Sequence, residues 1–271
     1  MKKFLKFWGT RGSCPVSGPE YAHFGGNTCC LEIRYNDTLV IIDAGTGVRS
    51  LGATLREEKQ IHLFLGHLHL DHLIGLPFFE PLYREGVEIH IWSPQAPGKT
   101  CQALINDLLS REFFPICLNE TRAKLVFQVA HIGKPVTIGP LTLDFHLTHH
   151  PGVTHCFKIK TPHQTIGYVT DNEVRLGEQQ SLIAFHKKCD LFIHEAQYTH
   201  EEYEEKKGWG HSPLSNVIAL VNQIEPKKWL VTHHDPKHTD ADLRALEALA
   251  KSEPLVCPVE WVPHLYVVEL K

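Results

Sequence analysis

The residues best suited to chemistry stand together in one short row, which reads Gly66-His67-Leu68-His69-Leu70-Asp71-His72. Imidazole and carboxylate groups are ordinary ligands of zinc and manganese. An apolar run at residues 61–65 comes directly before the row and predicts a buried strand. Three histidines and one aspartate at the end of a strand can begin two metal sites, but they complete neither. The rest of the chain must therefore supply further ligands.

An alternative interpretation is that these are surface histidines of a histidine-rich protein, since the chain contains 20 of them. A single histidine in such a chain is more often structural than a ligand. The pattern His-x-His-x-Asp-His directly after an apolar strand is much harder to obtain by chance. We therefore interpret the row as metal-binding.

Candidate ligands also follow other apolar runs of the chain. His149 or His150 follows residues 141–147, Asp171 follows residues 164–170, Glu195 follows residues 191–194, and His233 or His234 follows residues 229–232. This repeated placement lets all of these side chains converge on one rim of a sandwich of sheets. The sequence therefore predicts a binuclear metal centre. Asp43, at another strand end, is either a turn former or an acceptor that orients a ligand histidine through its free ring nitrogen.

Composition excludes several classes of protein. A formal net charge of −4 gives no broad electrostatic footprint for a nucleic-acid duplex. No apolar run is long enough to span a membrane, and the first residues lack the apolar region of a signal peptide. The eight cysteines form no Cys-x-x-Cys pair, which indicates reduced thiols in a cytoplasmic protein.

The remaining pattern predicts one domain over residues 1–271, built from two packed sheets with helices outside. Strands are expected at residues 4–8, 29–34, 38–42, 61–65, 88–92, 125–129, 141–147, 156–160, 164–170, 191–194, 229–232 and 265–268. Helices are expected at residues 48–57, 73–79, 99–111, 174–187, 212–224 and 240–251. In the fifth helix, Ser212 would be the cap and Pro213 would occupy the first turn, where a missing N–H costs little.

Six motifs appear in an order that resembles the metallo-β-lactamase fold superfamily. They are the histidine row, His150-Pro151, Thr170-Asp171, Glu195-Ala196-Gln197-Tyr198, Gly210-His211-Ser212 and Thr232-His233-His234-Asp235-Pro236. The match runs from the Gly-Gly-Asn-Thr loop at residues 25–28 to Pro236, and it looks most like the branch that holds ribonuclease Z and related phosphodiesterases. The resemblance implies an αββα sandwich.

The resemblance also implies a ligand set around two divalent ions, with zinc expected and manganese as the alternative. One metal would be held by His67, His69 and His150, the other by Asp71, His72 and His233, with Asp171 bridging the two. His150 is preferred over His149 because it directly precedes Pro151, and His233 over His234 because it follows Thr232.

The implied chemistry is hydrolysis by a metal-activated hydroxide. Asp71 would ligate a metal and orient that hydroxide, and His211 would protonate the leaving oxygen, with Glu195 behind it to hold its tautomer. Pro213 stands where the family usually has threonine, which is a departure beside His211.

Four features select among the activities of the superfamily. Di-iron members that reduce oxygen carry glutamate where this chain has His69, and many lactamases carry cysteine where it has Asp171. Lactamases and glyoxalase II lack the pairing of Glu195 with His211. The arm with which ribonuclease Z clasps tRNA is inserted between ligands that here are His150 and Asp171, only 21 positions apart (171 − 150).

These comparisons favour a small phosphodiester, such as a cyclic nucleotide, and argue against a long nucleic acid. Its pocket would be lined by Arg11, Asn27 and the aromatic residues of 198–209. The alternatives are an RNA 3′-processing nuclease, a thioester or lactone hydrolase on the same centre, and a non-catalytic metal-binding sensor. Relatives are often dimers, so a homodimer is the expected assembly, with no membrane partner.

Overall fold

Two seven-stranded β-sheets form the frame of the computed structural model, which describes residues 2–95 and 97–271. The first sheet contains β1 (Lys3–Gly9), β2 (Cys30–Tyr35), β3 (Thr38–Ile42), β4 (Gln60–Phe64), β5 (Glu88–Ser93), β6 (Lys124–Val129) and β14 (Val267–Glu269). The second contains β7 (Val136–Ile138), β8 (Leu141–Leu147), β9 (His155–Lys160), β10 (Thr165–Val169), β11 (Leu191–His194), β12 (Trp229–Val231) and β13 (Val259–Trp261).

Strand direction decides which loops can meet. In the first sheet, with order β14-β1-β2-β3-β4-β5-β6, strands β3 to β6 are parallel. In the second, with order β13-β12-β11-β10-β9-β8-β7, strands β10 to β13 are parallel, and β8 shares their direction because two antiparallel pairings separate it from β10. The carboxyl ends of β3 and β4 therefore lie at one edge, as do those of β8, β10, β11 and β12.

Three apolar layers hold the sheets and helices together. The helices are α1 (Gly47–Gly52), α2 (Cys101–Leu108), α3 (Gln180–His186), α4 (His200–Lys206), α5 (Leu214–Ile224) and α6 (Asp240–Ser252). One layer lies between the sheets and includes Ile33 and Phe145; the others lie under α1 and α2 on one outer face and under α3, α5 and α6 on the other. Each fully buried side chain of this size contributes about 1.5–3 kcal/mol. The predicted αββα sandwich is confirmed.

Every predicted strand is present within a few residues of its expected bounds. Strands β2 and β3 form a hairpin, where Tyr35 pairs with Thr38 across a turn in which Asn36 has a φ of 56°. Sequence reasoning missed the short strands β7 and β13 and helix α4.

The predicted helices at residues 48–57 and 174–187 are wrong in length, since α1 ends at Gly52 and α3 begins only at Gln180. Residues ahead of α3 have other partners: the N–H of Glu173 donates to His149 O at 2.8 Å, and that of Val174 donates to Ser212 Oγ at 2.8 Å. The predicted helix at 73–79 is a 3₁₀ turn at Leu76–Phe78 instead, because Pro77 cannot donate to an α-helical ladder.

The prediction that Ser212 caps the fifth helix is also wrong. That helix, α5, begins at Leu214 with Pro213 before it, and no side chain caps it. The Ser212 hydroxyl instead accepts from the N–H of Val174 and donates to Asn172 O. Ser212 thus ties the loop after β10 to the loop that carries His211.

None of the helices within residues 2–95 and 97–271 combines the length and the apolar character needed to cross a membrane. All eight cysteines belong to the described residues, and each is a free thiol.

Candidate metal centre

Three residues at strand ends adopt left-handed backbone conformations. Asp43 follows β3 with a φ of 64°, Asp171 follows β10 with a φ of 56°, and His233 lies just past β12 with a φ of 58°. Residues other than glycine rarely adopt this conformation, and strain of this kind is concentrated at functional sites. All three side chains lie at the edge where the predicted ligands were expected.

The first ligand group consists of His67, His69 and His150. One ring nitrogen from each lies within 4.8 Å of the others, and His69 Nδ1 is 3.0 Å from His150 Nε2. His150 donates from Nδ1 to Gly210 O at 3.0 Å, which leaves its Nε2 facing the group. Burial lowers the pKa of all three histidines, that of His67 most strongly. Neutral imidazole is the form that binds a metal.

The second ligand group consists of Asp71, His72 and His233. Asp71 Oδ2 lies 3.3 Å from His72 Nε2 and 3.4 Å from His233 Nε2. Each histidine is supported from behind: Asp43 Oδ2 lies 2.9 Å from His72 Nδ1, and the amide of Gln197 lies 3.1 Å from His233 Nδ1. Asp43 therefore combines a left-handed turn with a carboxylate placed directly behind His72.

Asp171 lies between the two groups. Its Oδ2 is 3.2 Å from His72 Nε2 and 3.4 Å from His233 Nε2. Its Oδ1 is 3.9 Å from His67 Nε2 and 3.8 Å from His150 Nε2. One carboxylate oxygen thus faces each group, which is the geometry that a bridging ligand requires.

The donor set fits divalent metal ions. His67 Nε2, His233 Nε2 and Asp171 Oδ2 are buried and have no hydrogen-bond partner among the described residues. A buried polar atom left without a partner costs about 1–3 kcal/mol, and a bound cation would remove that cost for all three. Nitrogen and carboxylate ligands together suit zinc or manganese.

The pairing of carboxylates with imidazoles inside the centre also indicates a metal site. Burial would raise the pKa of Asp71 and Asp171, but the adjacent His72 and His233 hold both well below their usual range. Burial would likewise lower the pKa of His72 and His233, but the carboxylates around them raise both well above the ordinary value. Protons on these imidazoles thus compete with metal ions, so we expect metal binding to release them.

A second buried pair stands beside the centre. His211 Nδ1 lies 3.0 Å from Glu195 Oε2 and 3.9 Å from Asp171 Oδ1. Burial would raise the pKa of Glu195, but His211 lowers it to about 2. Burial would lower the pKa of His211, but the Glu195 carboxylate raises it above the ordinary value. The Glu195 carboxylate therefore favours the protonated form of the His211 imidazole.

The alternative histidines point elsewhere. His149 Nδ1 accepts from Gln179 Nε2 at 2.9 Å, and His234 donates from Nε2 to Val262 O at 3.3 Å. The structure thus brings His150 and His233 into the centre and leaves their neighbours outside it.

The predicted pocket lining is wrong for Arg11. Its side chain is fully buried and donates to Gly25 O and His238 O, both at 2.7 Å, so it is occupied in holding loops together. Asn27 is half-buried and accepts from Thr46 Oγ1 at 3.0 Å. Among the aromatic residues, Tyr198 is buried with its ring nearly perpendicular to that of His211, whereas Trp209 is 63% exposed.

Sequence reasoning missed the loop that covers Asp71. The N–H of Ser13 donates to Asp71 Oδ2 at 2.8 Å, with Ser13 at a φ of 62°. A Cβ at Gly12 would lie 2.5 Å from the ring of His233, so glycine is required there. The Gly-x-x-Gly spacing of residues 9–12 was the available signal for this close approach.

Comparison with known proteins gives results that agree in fold. The family model of the beta-lactamase superfamily domain matches residues 38–234. Ribonuclease Z of Porphyromonas gingivalis is 22% identical, with 84% of this chain and 90% of that protein covered. The metallo-beta-lactamase fold protein YhfI from Bacillus subtilis has a TM-score of 0.75 at 19% identity, covering 99% of this chain and 100% of that one.

A further solved structure, described as a new diphosphatase from the PhnP family, has a TM-score of 0.72 at 14% identity and covers 100% of this chain and 98% of its own. At these identities the solved structures bear on the fold, and the shared architecture extends over the whole chain.

Proposed function

We propose that this chain, which belongs to the beta-lactamase superfamily and is a metal-dependent hydrolase, acts on a small phosphodiester such as a cyclic nucleotide. The observation that carries the proposal is the acid pair beside the ligand cluster: His211 Nδ1 lies 3.0 Å from Glu195 and 3.9 Å from the bridging candidate Asp171. A leaving alkoxide needs a proton, and this pair can supply one.

In this proposal the centre binds two divalent ions, zinc first and manganese as the alternative. When bound, such ions lower the pKa of a water and neutralise developing negative charge on a phosphoryl oxygen. The two groups would hold one ion each, and Asp171 would contact both. The ligands are those described above: His67, His69 and His150; Asp71, His72 and His233; and Asp171.

The protein's own groups have separate tasks. Asp71 is a ligand and an acceptor that orients the attacking water, and Ser13 N–H fixes the direction of its carboxylate. His211 is the general acid, a contribution of typically ~10²- to 10⁴-fold to the rate. Glu195 holds His211 in the tautomer with Nδ1–H, and it is held in turn by the N–H of Asn172 at 2.8 Å.

Ribonuclease activity is the second candidate, because a relative covering most of the chain is named ribonuclease Z. Two observations argue against a long RNA here. Between His150 and Asp171 the chain forms only the β9–β10 hairpin, with a tight turn at Thr161 and Gln164. The formal net charge of −4 also offers no general attraction for a polyanion.

Location and assembly complete the proposal: a cytoplasmic homodimer without a membrane partner. Both are inferred from the resemblance and the free cysteines.

The exposed Trp209, next to Gly210 and close to His211 in the chain, is available for stacking on a base of the substrate.

A substrate panel tests the activity. Protein reconstituted with zinc or manganese would be given 2′,3′- and 3′,5′-cyclic nucleotides, bis(p-nitrophenyl) phosphate, a precursor tRNA with a 3′ trailer, and a thioester. We expect cleavage of the small phosphodiesters. Faster cleavage of the precursor tRNA would establish the nuclease instead, turnover of the thioester alone would overturn the phosphodiesterase proposal, and no turnover in the presence of bound metal would favour a sensor.

A further inference from the structure

A thiol adjoins the second ligand group. Cys29, directly before β2, is fully buried. Its Sγ and one ring nitrogen each from His72 and His233 all lie within 4.8 Å of one another. Thiolate sulfur is a soft ligand that zinc accepts readily. The set therefore has the composition of a metal site.

The two histidines of this set also have ring nitrogens that a metal ion would satisfy. His72 Nε2 and His233 Nε2 are buried and have no hydrogen-bond partner within residues 2–95 and 97–271. Cys29 Sγ also donates a hydrogen bond to Arg11 O at 3.4 Å. A thiol is a poor donor, so this hydrogen bond is a weak reason for a cysteine at this position.

Cys30 shows what an ordinary buried cysteine looks like at the same place in the chain. It belongs to the apolar layer under α1 and α2, on the other side of the strand. Cys156 is a second useful contrast: its Sγ lies 3.5 Å from His186 Nε2, both buried, but this pair belongs to none of the candidate metal clusters among the described residues.

We propose that Cys29 is a thiolate ligand of the second metal position, beside Asp71, His72 and His233, and that it makes this position prefer zinc over manganese. The inference rests on the metal centre proposed above. As the sulfur–metal bond forms, the thiol proton leaves to solvent, so no oxidant or reductant is needed. Without the sulfur, the anionic protein ligands of this position would be the carboxylates of Asp71 and Asp171 alone, and it would discriminate less against manganese, which prefers oxygen ligands.

Cobalt reports sulfur ligation directly. The full-length protein would be stripped of metal and reconstituted with Co²⁺ to two ions per chain, verified by elemental analysis. We expect an intense near-ultraviolet sulfur-to-cobalt charge-transfer band in the wild type and in the matched controls Cys30→Ser and Cys156→Ser. The band is lost in Cys29→Ser. In competition, that variant also loses at least tenfold of its preference for zinc over manganese.

The outcomes separate the two proposals. Two bound cobalt ions with visible ligand-field bands but no charge-transfer band in the wild type would overturn Cys29 ligation and leave the metal centre standing. A band that survives in Cys29→Ser would also overturn it. If cobalt does not bind at all, the centre itself fails. A missing band in the wild type decides against the proposal even if Cys29→Ser does not fold, and Cys29→Ala provides a second variant for assigning a band that is present.

Discussion

The two ligand groups of the centre differ in what stands behind them. His67, His69 and His150 form an open group: His69 is exposed, and only Gly210 O anchors a ring of this group from behind among the described residues. Asp71, His72 and His233 form a buried group in which each member has its own support, from Ser13 N–H, Asp43 and Gln197 respectively.

This difference predicts that the two positions bind metal ions with different affinity. Buried ligands with fixed orientation bind an ion tightly, because little reorganisation is needed when it arrives. An open group exchanges its ion and its water more easily. We therefore expect the position at Asp71, His72 and His233 to fill first and to empty last. The following variants would break or sharpen that distinction.

Asp171 should matter most, because its carboxylate faces both groups. Asp171→Ala is expected to reduce bound metal below one ion per chain and turnover of bis(p-nitrophenyl) phosphate by about 10³-fold or more, since charge neutralisation and water activation are both lost. Elemental analysis and steady-state kinetics measure this. Asp37→Asn, at an exposed turn, is the matched control. Two retained ions with activity within tenfold of wild type would refute the bridging role.

His211 belongs to neither group, so its loss should separate catalysis from metal binding. His211→Ala is expected to slow cleavage by ~10²- to 10⁴-fold while both ions remain. Substrates with a better leaving group, such as p-nitrophenolate, should lose less than cyclic nucleotides because they need less protonation. An equal loss for every substrate, or a loss of metal, would remove His211 from the role of acid.

Asp43 tests the support behind the buried group. Asp43→Asn is expected to weaken binding at the second position by about 10- to 100-fold, with the first position unchanged, since Asp43 contacts His72 and no member of the open group among the described residues. A metal titration followed by calorimetry would resolve the two events. Equal weakening of both positions would contradict the distinction between the groups.

Glu195 should have the smallest effect, seen in the pH profile. Glu195 raises the pKa of His211, and an acid is active only while protonated, so the rate should fall as pH rises through that raised pKa. Glu195→Gln removes the carboxylate, and the alkaline limb of kcat/KM should move to lower pH by about one unit, equivalent to ~1.4 kcal/mol. An unmoved limb would show that another group carries the proton.

Sequence alone was sufficient for the parts of this site that depend on local order. The row at residues 67–72 could be identified because its ligands are adjacent and follow a strand, and the αββα sandwich could be inferred from the resemblance. Between His149 and His150 the resemblance gave a preference, and the structure shows the separation physically, since Gln179 binds the first and Gly210 the second.

Other features depend on contacts between distant segments. Ser212 looked like a helix cap because its neighbours fit the pattern, yet its hydroxyl joins two loops. Arg11 was expected to line the substrate pocket, yet it is buried among backbone carbonyls. Cys29 adjoins His72 and His233 only because the start of β2 and the ends of β4 and β12 lie near one place, which no local pattern encodes.

Anomalous diffraction from crystals of the zinc-loaded protein, measured at the zinc absorption edge, tests the central claim most directly. The account predicts two peaks, one at about 2.0–2.1 Å from nitrogens of His67, His69 and His150 and one at similar distances from Asp71, His72 and His233, with Asp171 contacting both. A single ion, or peaks outside this cluster, would contradict it.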